Sequence, residues 1–255
     1  MKAYACVYLH PTPRADARRA TERSAATRPM LRRYLDHYGR ADCYCDWGDD
    51  PSFFAADELL GSHDRATWGV CRPDVRRSLE PGDFVVFFCA KDMSAGIRHY
   101  FYIGTGTVGR LLTRAEIWTR DEYRTYREFF NILAGPRPGA TGLHQHETIH
   151  PFHDNWRERI EAPYIVFDTD LTRFNLRDPL PVATYEKRDG DIEIWRAGAR
   201  VRRLARLVLP DEPTRRGLRT LHPRRPHNKL NLSTQAERAG GFDVLRNRLL
   251  QLVEN

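Results

Sequence analysis

The stretch Trp68–Val108, WGVCRPDVRRSLEPGDFVVFFCAKDMSAGIRHYFYIGTGTV, decides how the chain is read. It holds two apolar runs, Phe84–Cys89 and Tyr100–Thr105, joined by a polar connection containing Gly96. Runs of this length, rich in Val, Phe and Tyr and flanked by turn residues, form strands, here an antiparallel pair over Phe84–Cys89 and Tyr100–Val108. Pro81-Gly82-Asp83 is the turn that leads in, and Pro73 opens a helical turn over Asp74–Leu79. Strand side chains alternate, so Phe87 and Cys89 face one way and Val86 and Phe88 the other. Likewise Tyr100 and Tyr102 share a face opposite Phe101 and Ile103. One set belongs to a core; the other either joins it or lines a cleft in which a flat ring stacks.

Outward from this stretch, Tyr4–Leu9 is a strand. Leu31, Tyr34, Leu35 and Tyr38 mark a helix over Pro29–Tyr38, and a short helix starts at Ser52. Tyr123, Tyr126, Phe129, Phe130 and Leu133 place a helix over Thr119–Leu133. Tyr164–Asp168 and Ile192–Trp195 are strands, and Asp189-Gly190 between Tyr185 and Ile192 signals a hairpin turn. Leu204–Leu209 is a last strand, and Leu245, Leu249, Leu250 and Val253 mark a closing helix over Phe242–Val253. The fold class is α+β. The boundaries are a main domain over 1–210, with a helical insert near 14–65, and a basic C-terminal extension over 211–255 that ends in a helix.

With 255 residues, 41% of them apolar, the chain can bury a sizeable core. No apolar run reaches the roughly 18 to 20 residues that cross a bilayer. The first residues are too short in apolar content for a secretory signal, so a cytoplasmic protein with no membrane partner is expected. Cys6, Cys43, Cys45, Cys71 and Cys89 are irregularly spaced, which fits reduced thiols rather than a disulfide framework. The net charge of +7 is uneven: from Arg200 onward 13 Lys and Arg face 5 Asp and Glu, so the rest of the chain sums to −1. Such a basic quarter is either a surface for a polyanion or a solvated Arg-rich face.

Three segments could carry chemistry. Arg72, Arg76 and Arg77 lie close together on one helical turn, with guanidinium forks suited to phosphate. Trp47, Trp68 and the strand aromatics supply rings on which an unstacked base could lie. The second segment is His144–His153, with four histidines in ten residues. His146-Glu147-Thr148-Ile149-His150 has the zinc-peptidase order, but Pro151 disfavours helical backbone at His150 and the upstream loop is full of Gly and Pro. His144, His146 and His150 therefore stand as an alternative metal site, and loop residues at a pocket rim as the preferred reading. In the third, prolines keep Leu221–Leu230 extended, presenting Arg224, Arg225 and Lys229 to a phosphate backbone. Gly104-x-Gly106-x-x-Gly109 matches a dinucleotide string but lacks the strand–helix context; a bulge or a close backbone approach fits better.

Trp68-Gly-Val-Cys-Arg-Pro-Asp-Val-Arg-Arg, Pro81-Gly-Asp-Phe-Val-Val-Phe-Phe and Tyr102-Ile-Gly-Thr-Gly-Thr-Val together resemble the nucleotide-modification-associated domains, which are similar to EVE and wider PUA-like barrels. The resemblance rests on a Cys-[Lys/Arg]-Pro-x-[Ile/Val]-Arg-Arg segment followed by Gly-Asp-[Trp/Phe]-Val. It implies a small, partly open mixed or antiparallel β-barrel with flanking helices that reads a modified or flipped base, beside DNA modification or restriction enzymes. The implied contacts are Trp68, Cys71, Arg72, Pro73, Arg76 and Arg77. The expected partner is nucleic acid, DNA before RNA, with a restriction or modification enzyme as protein partner and no cofactor. The N-terminal helical insert and the basic C-terminal quarter depart from the family pattern. The competing reading is a metal-dependent enzyme on nucleotides or nucleic acid that works through His144–His153.

Overall fold

The computed structural model describes residues 1–9, 67–69, 72–94, 97–121, 161–174, 179–186, 191–194 and 229–254. The chain divides into two compact units. The first comprises residues 1–10, 82–107 and 170–255; the second comprises 11–81 and 108–169. The expected helices at Pro29–Tyr38 and Ser52, the strand at Leu204–Leu209 and the insert near 14–65 lie outside the described residues.

In the first unit, β1 (Ala3–Leu9) runs parallel to β3 (Phe84–Ser94), in register from Ala3 opposite Phe84 to Leu9 opposite Ala90. β3 pairs antiparallel with β4 (Ile97–Leu112), as the two apolar runs required, although both strands extend beyond them. β4 also pairs with β6 (Arg173–Phe174) and β7 (Leu180–Glu186). β7 forms a hairpin with β8 (Asp191–Ile194), and Tyr185 stands opposite Ile192. β9 (Lys229–Asn231) pairs antiparallel with the other side of β1. Helices α3 (Ser233–Ala239) and α4 (Phe242–Glu254) follow.

The result is a mixed sheet with helices. The small barrel implied by the resemblance is not closed: among the described residues β8 pairs only with β7 and β9 only with β1. Closure needs a run of hydrogen bonds between the first and last strands, and among the described residues no such run is formed.

Period-two alternation places Ala3, Ala5, Val7, Phe84, Val86, Phe88, Tyr100 and Tyr102 in one core cluster. Leu232, Ala236, Leu245, Leu249 and Leu252 complete it. The stretch expected as a basic extension thus supplies part of this core. On the opposite face Cys6, Val85, Phe87 and Cys89 are also buried, and Phe87 packs against Phe174 with ring centroids 5.6 Å apart. A strand buried on both faces has no polar alternation, which is why Phe84–Ala90 reads as an unbroken apolar run. Cys6 and Cys89 are free buried thiols.

A register shift at Phe87 and Phe88 leaves Ile103 as the extra residue between Tyr102 and Gly104. Gly104 has φ +153°, and a Cβ there would lie 2.1 Å from the Arg173 carbonyl oxygen of β6. The glycine string is therefore a bulge and a close strand approach, with no helix opening after it.

In the second unit, β5 (Tyr164–Phe167) lies between β2 (Thr67–Trp68) and the Val108–Leu112 end of β4, antiparallel to both. Helix α1 (Pro73–Arg76) follows β2. α2 (Arg114–Thr119) begins at a capping box in which Thr113 and Glu116 bond each other's backbone N–H groups. The helix expected to start at Thr119 does not do so: α2 ends there, and Arg120 is extended. The rest of that expected helix lies beyond the described residues. Among the described residues no helix is long and apolar enough to cross a membrane.

Candidate functional site

The second unit carries the basic segment. β2 hydrogen-bonds to β5 with Trp68 opposite Ile165, and all four residues of β5 are buried. Trp68 is fully enclosed, at 0% exposure. The indole expected as a ring on which an unstacked base could lie is thus enclosed in the core, as large apolar side chains usually are. Tyr164 shares a hydrogen bond of 3.2 Å with the Thr67 hydroxyl. Its ring also lies over Gly69: a Cβ on that residue would come within 1.8 Å of Tyr164 Cε2.

Arg72 caps α1 in a left-handed conformation, φ 55° and ψ 53°, the one non-glycine positive φ among the described residues. Its carbonyl accepts from the backbone N–H groups of Val75 and Arg76, both at 3.1 Å. Pro73 follows at the first helical position, where its fixed φ fits and its missing N–H costs nothing. The turn closes with Arg77 N–H donating to the Pro73 carbonyl at 3.0 Å and the Ser78 hydroxyl to the Val75 carbonyl at 2.7 Å.

The three arginines do not form one outward grip. Arg76 is fully buried, and its Nη1 donates to the carbonyls of Ala162 at 3.1 Å and Pro163 at 2.6 Å. A guanidinium enclosed in this way satisfies backbone acceptors at the start of β5 and is not presented to a phosphate. Arg77, the next residue, is exposed, and Arg72 is half-buried. Of the three arginines, Arg76 thus braces the turn from inside, and only Arg72 and Arg77 have side chains that reach the surface.

The strand aromatics divide as alternation demands. Phe87, Phe88, Tyr100 and Tyr102 are core. Phe101 and His99 share the other face of β4 and remain half-buried, with ring centroids 6.3 Å apart. Lys229 lies in β9 opposite Cys6, a sheet-edge position rather than an extended arm. Trp47, Cys71, Arg224 and Arg225 lie outside the described residues, as do His144, His146 and His150. Among the described residues no group of three or more His, Cys, Asp or Glu side chains is placed to hold a metal ion.

Sequence reasoning missed Gly69, Ala162, Pro163 and Tyr164. Nothing local marks them, because their part in the site comes from β2–β5 pairing across nearly a hundred residues. The glycine directly after Trp68 was the one available signal, a position where a neighbouring ring comes close. No family model, curated protein or solved structure matches this chain.

Proposed function

We propose that this protein binds nucleic acid, DNA before RNA, and reads a modified or flipped base, in company with a DNA modification or restriction enzyme and in the cytoplasm. The proposal includes a partly open relative of the PUA- and EVE-like barrel, with the described mixed sheet as its open form. The observation that carries it is the braced turn Arg72–Arg77, where a left-handed Arg72 and an exposed Arg77 flank an arginine locked onto backbone. A net charge of +7 gives the chain a general attraction for a polyanion. Arginine recognises phosphate through a planar fork whose value rises when its mounting is rigid. The half-buried Phe101 and His99 offer planar rings to an unstacked base.

Fluorescence anisotropy with labelled DNA and RNA oligonucleotides, unmodified and carrying modified bases, tests this at several salt concentrations. The wild-type chain is expected to bind with a steep salt dependence. Arg77→Ala should weaken binding and reduce the slope of log K against log salt by about 0.9 on duplex, or about 0.7 on single strands, for one lost phosphate contact. Absence of binding, or an unchanged slope in Arg77→Ala, overturns the reading.

A further inference from the structure

Arg76 and Gly69 bracket the basic segment, and between them they meet three successive residues, Gly69 the ring of Tyr164 and Arg76 the carbonyls of Ala162 and Pro163. At one end, Gly69 accommodates the ring of Tyr164, with space for no Cβ. At the other, Arg76 Nη1 holds the carbonyls of Ala162 and Pro163. Residues 162–164 lead into β5, which is hydrogen-bonded on both sides, to β2 and to β4. The stretch between the ties contains Arg72 and Pro73, and Arg77 follows the second tie directly. Arg72 in turn is fixed through its carbonyl, which takes the N–H of Arg76 itself.

We infer that Gly69, Arg76 and Tyr164 form a clamp that preorganises Arg72 and Arg77 for a phosphate of the bound strand, with Arg76 and Gly69 as positioning residues that never touch the ligand. This rests on the nucleic-acid reading above. The physical argument is that an unclamped loop pays its ordering entropy at the moment of binding, whereas a clamped one has paid it on folding. A buried arginine suits the task because one nitrogen serves two successive carbonyls while the charge is solvated by backbone oxygen. Two ties on one support restrict the described parts of the segment, Gly69 and Arg72–Arg76, more than either could alone.

Contact and positioning leave different marks on binding. Loss of a phosphate contact lowers the salt slope, because fewer counterions are released. Loss of preorganisation lowers affinity with the slope unchanged, because the same contacts form in the complex.

Arg76→Met, Gly69→Ala and Arg77→Ala are therefore compared in the full chain by anisotropy with one labelled oligonucleotide, alongside Tm. Arg76→Met and Gly69→Ala are each expected to lose about 10-fold in affinity, the cost of ordering one or two side chains and their loop, at wild-type slope. Tyr164→Phe keeps the ring over Gly69, loses the hydroxyl contact with Thr67 and should bind like wild type. If Arg76→Met does not fold, Arg76→Lys, which reaches one carbonyl with one ammonium, should show an intermediate loss at unchanged slope. A reduced slope in either Arg76 variant makes Arg76 a contact and overturns the clamp. So does wild-type affinity in both Arg76→Met and Gly69→Ala while Arg77→Ala still weakens binding. A wild-type chain that binds no oligonucleotide instead fails the functional reading itself, and the clamp falls with it.

Discussion

Arg72 holds a backbone conformation that disfavours every side chain except glycine and, less severely, asparagine and aspartate, at a cost of roughly 1 to 2 kcal/mol. Strain of this kind persists where the surroundings over-determine it, and here two backbone N–H groups fix the Arg72 carbonyl. The expected consequence is an inversion of the usual order of substitutions. Arg72→Gly should be more stable than Arg72→Ala by about 1 kcal/mol, although glycine normally loses to alanine through its freer unfolded state. Urea unfolding of the two variants checks this, and an alanine variant as stable as the glycine one contradicts it. At this scale the sequence singled out the arginines by type and was silent as to which way they face. Arg72, Arg76 and Arg77 stand out in the string by type and spacing. That Arg76 turns inward depends on the Ala162 and Pro163 carbonyls, which no local pattern connects to it.

Helix α2 shows how a short element is held by its first turn. The Glu116 carboxyl accepts from the Thr113 backbone N–H at 2.8 Å and from its hydroxyl at 3.0 Å, and Arg120 lies 2.8 Å away. The backbone bond first and then the hydroxyl hold the Glu116 carboxyl below the usual range, against an opposing effect of desolvation that exceeds the further lowering by Arg120. A carboxyl lowered in the folded state stabilises above its unfolded pKa, and that stabilisation disappears as pH falls through the lower folded value. An NMR titration should place the Glu116 midpoint below that of a free glutamate. Thr113→Ala should raise it part of the way, since the backbone donor remains, and should cost about 0.5 to 2 kcal/mol in helix stability. A midpoint unmoved by Thr113→Ala removes the hydroxyl from the account. Thr113-x-x-Glu116 stands in the string as a capping box, yet this short helix has too few apolar positions to show a stripe, and it went unread. Elements with a long apolar run or a strong turn signal were legible: β1, β3, β4, β5 and the β7–β8 hairpin. β2, β6 and β9, with two or three residues each, were not, because strands so short have no period to detect.

At the scale of the whole chain, a core is assembled from segments far apart in sequence. In the first unit the cluster on β1, β3 and β4 is completed by α3 and α4, and the Tyr102 hydroxyl donates to the Leu249 carbonyl at 3.1 Å. Leu245 and Leu249 are fully buried there. Leu245→Ala should destabilise this unit by about 2 to 5 kcal/mol, measured by chemical denaturation. A loss below about 0.5 kcal/mol, the range of ordinary surface substitutions, contradicts the placement of α4. The leucine stripe of α4 was legible from spacing; its destination was not, because charge counting groups residues along the chain while a core gathers them across it. The pairing of β1 carries a further consequence, for the order of synthesis. β1 leaves the ribosome before both its neighbours: β3, its parallel partner, follows only after the whole segment 11–81, and β9 follows later still. Until then Ala3–Leu9 is an apolar segment with both hydrogen-bonding edges open, the state in which nascent strands are taken up by chaperones or by one another. A chain interrupted before Lys229 leaves β1 unpaired along the edge that β9 would cover.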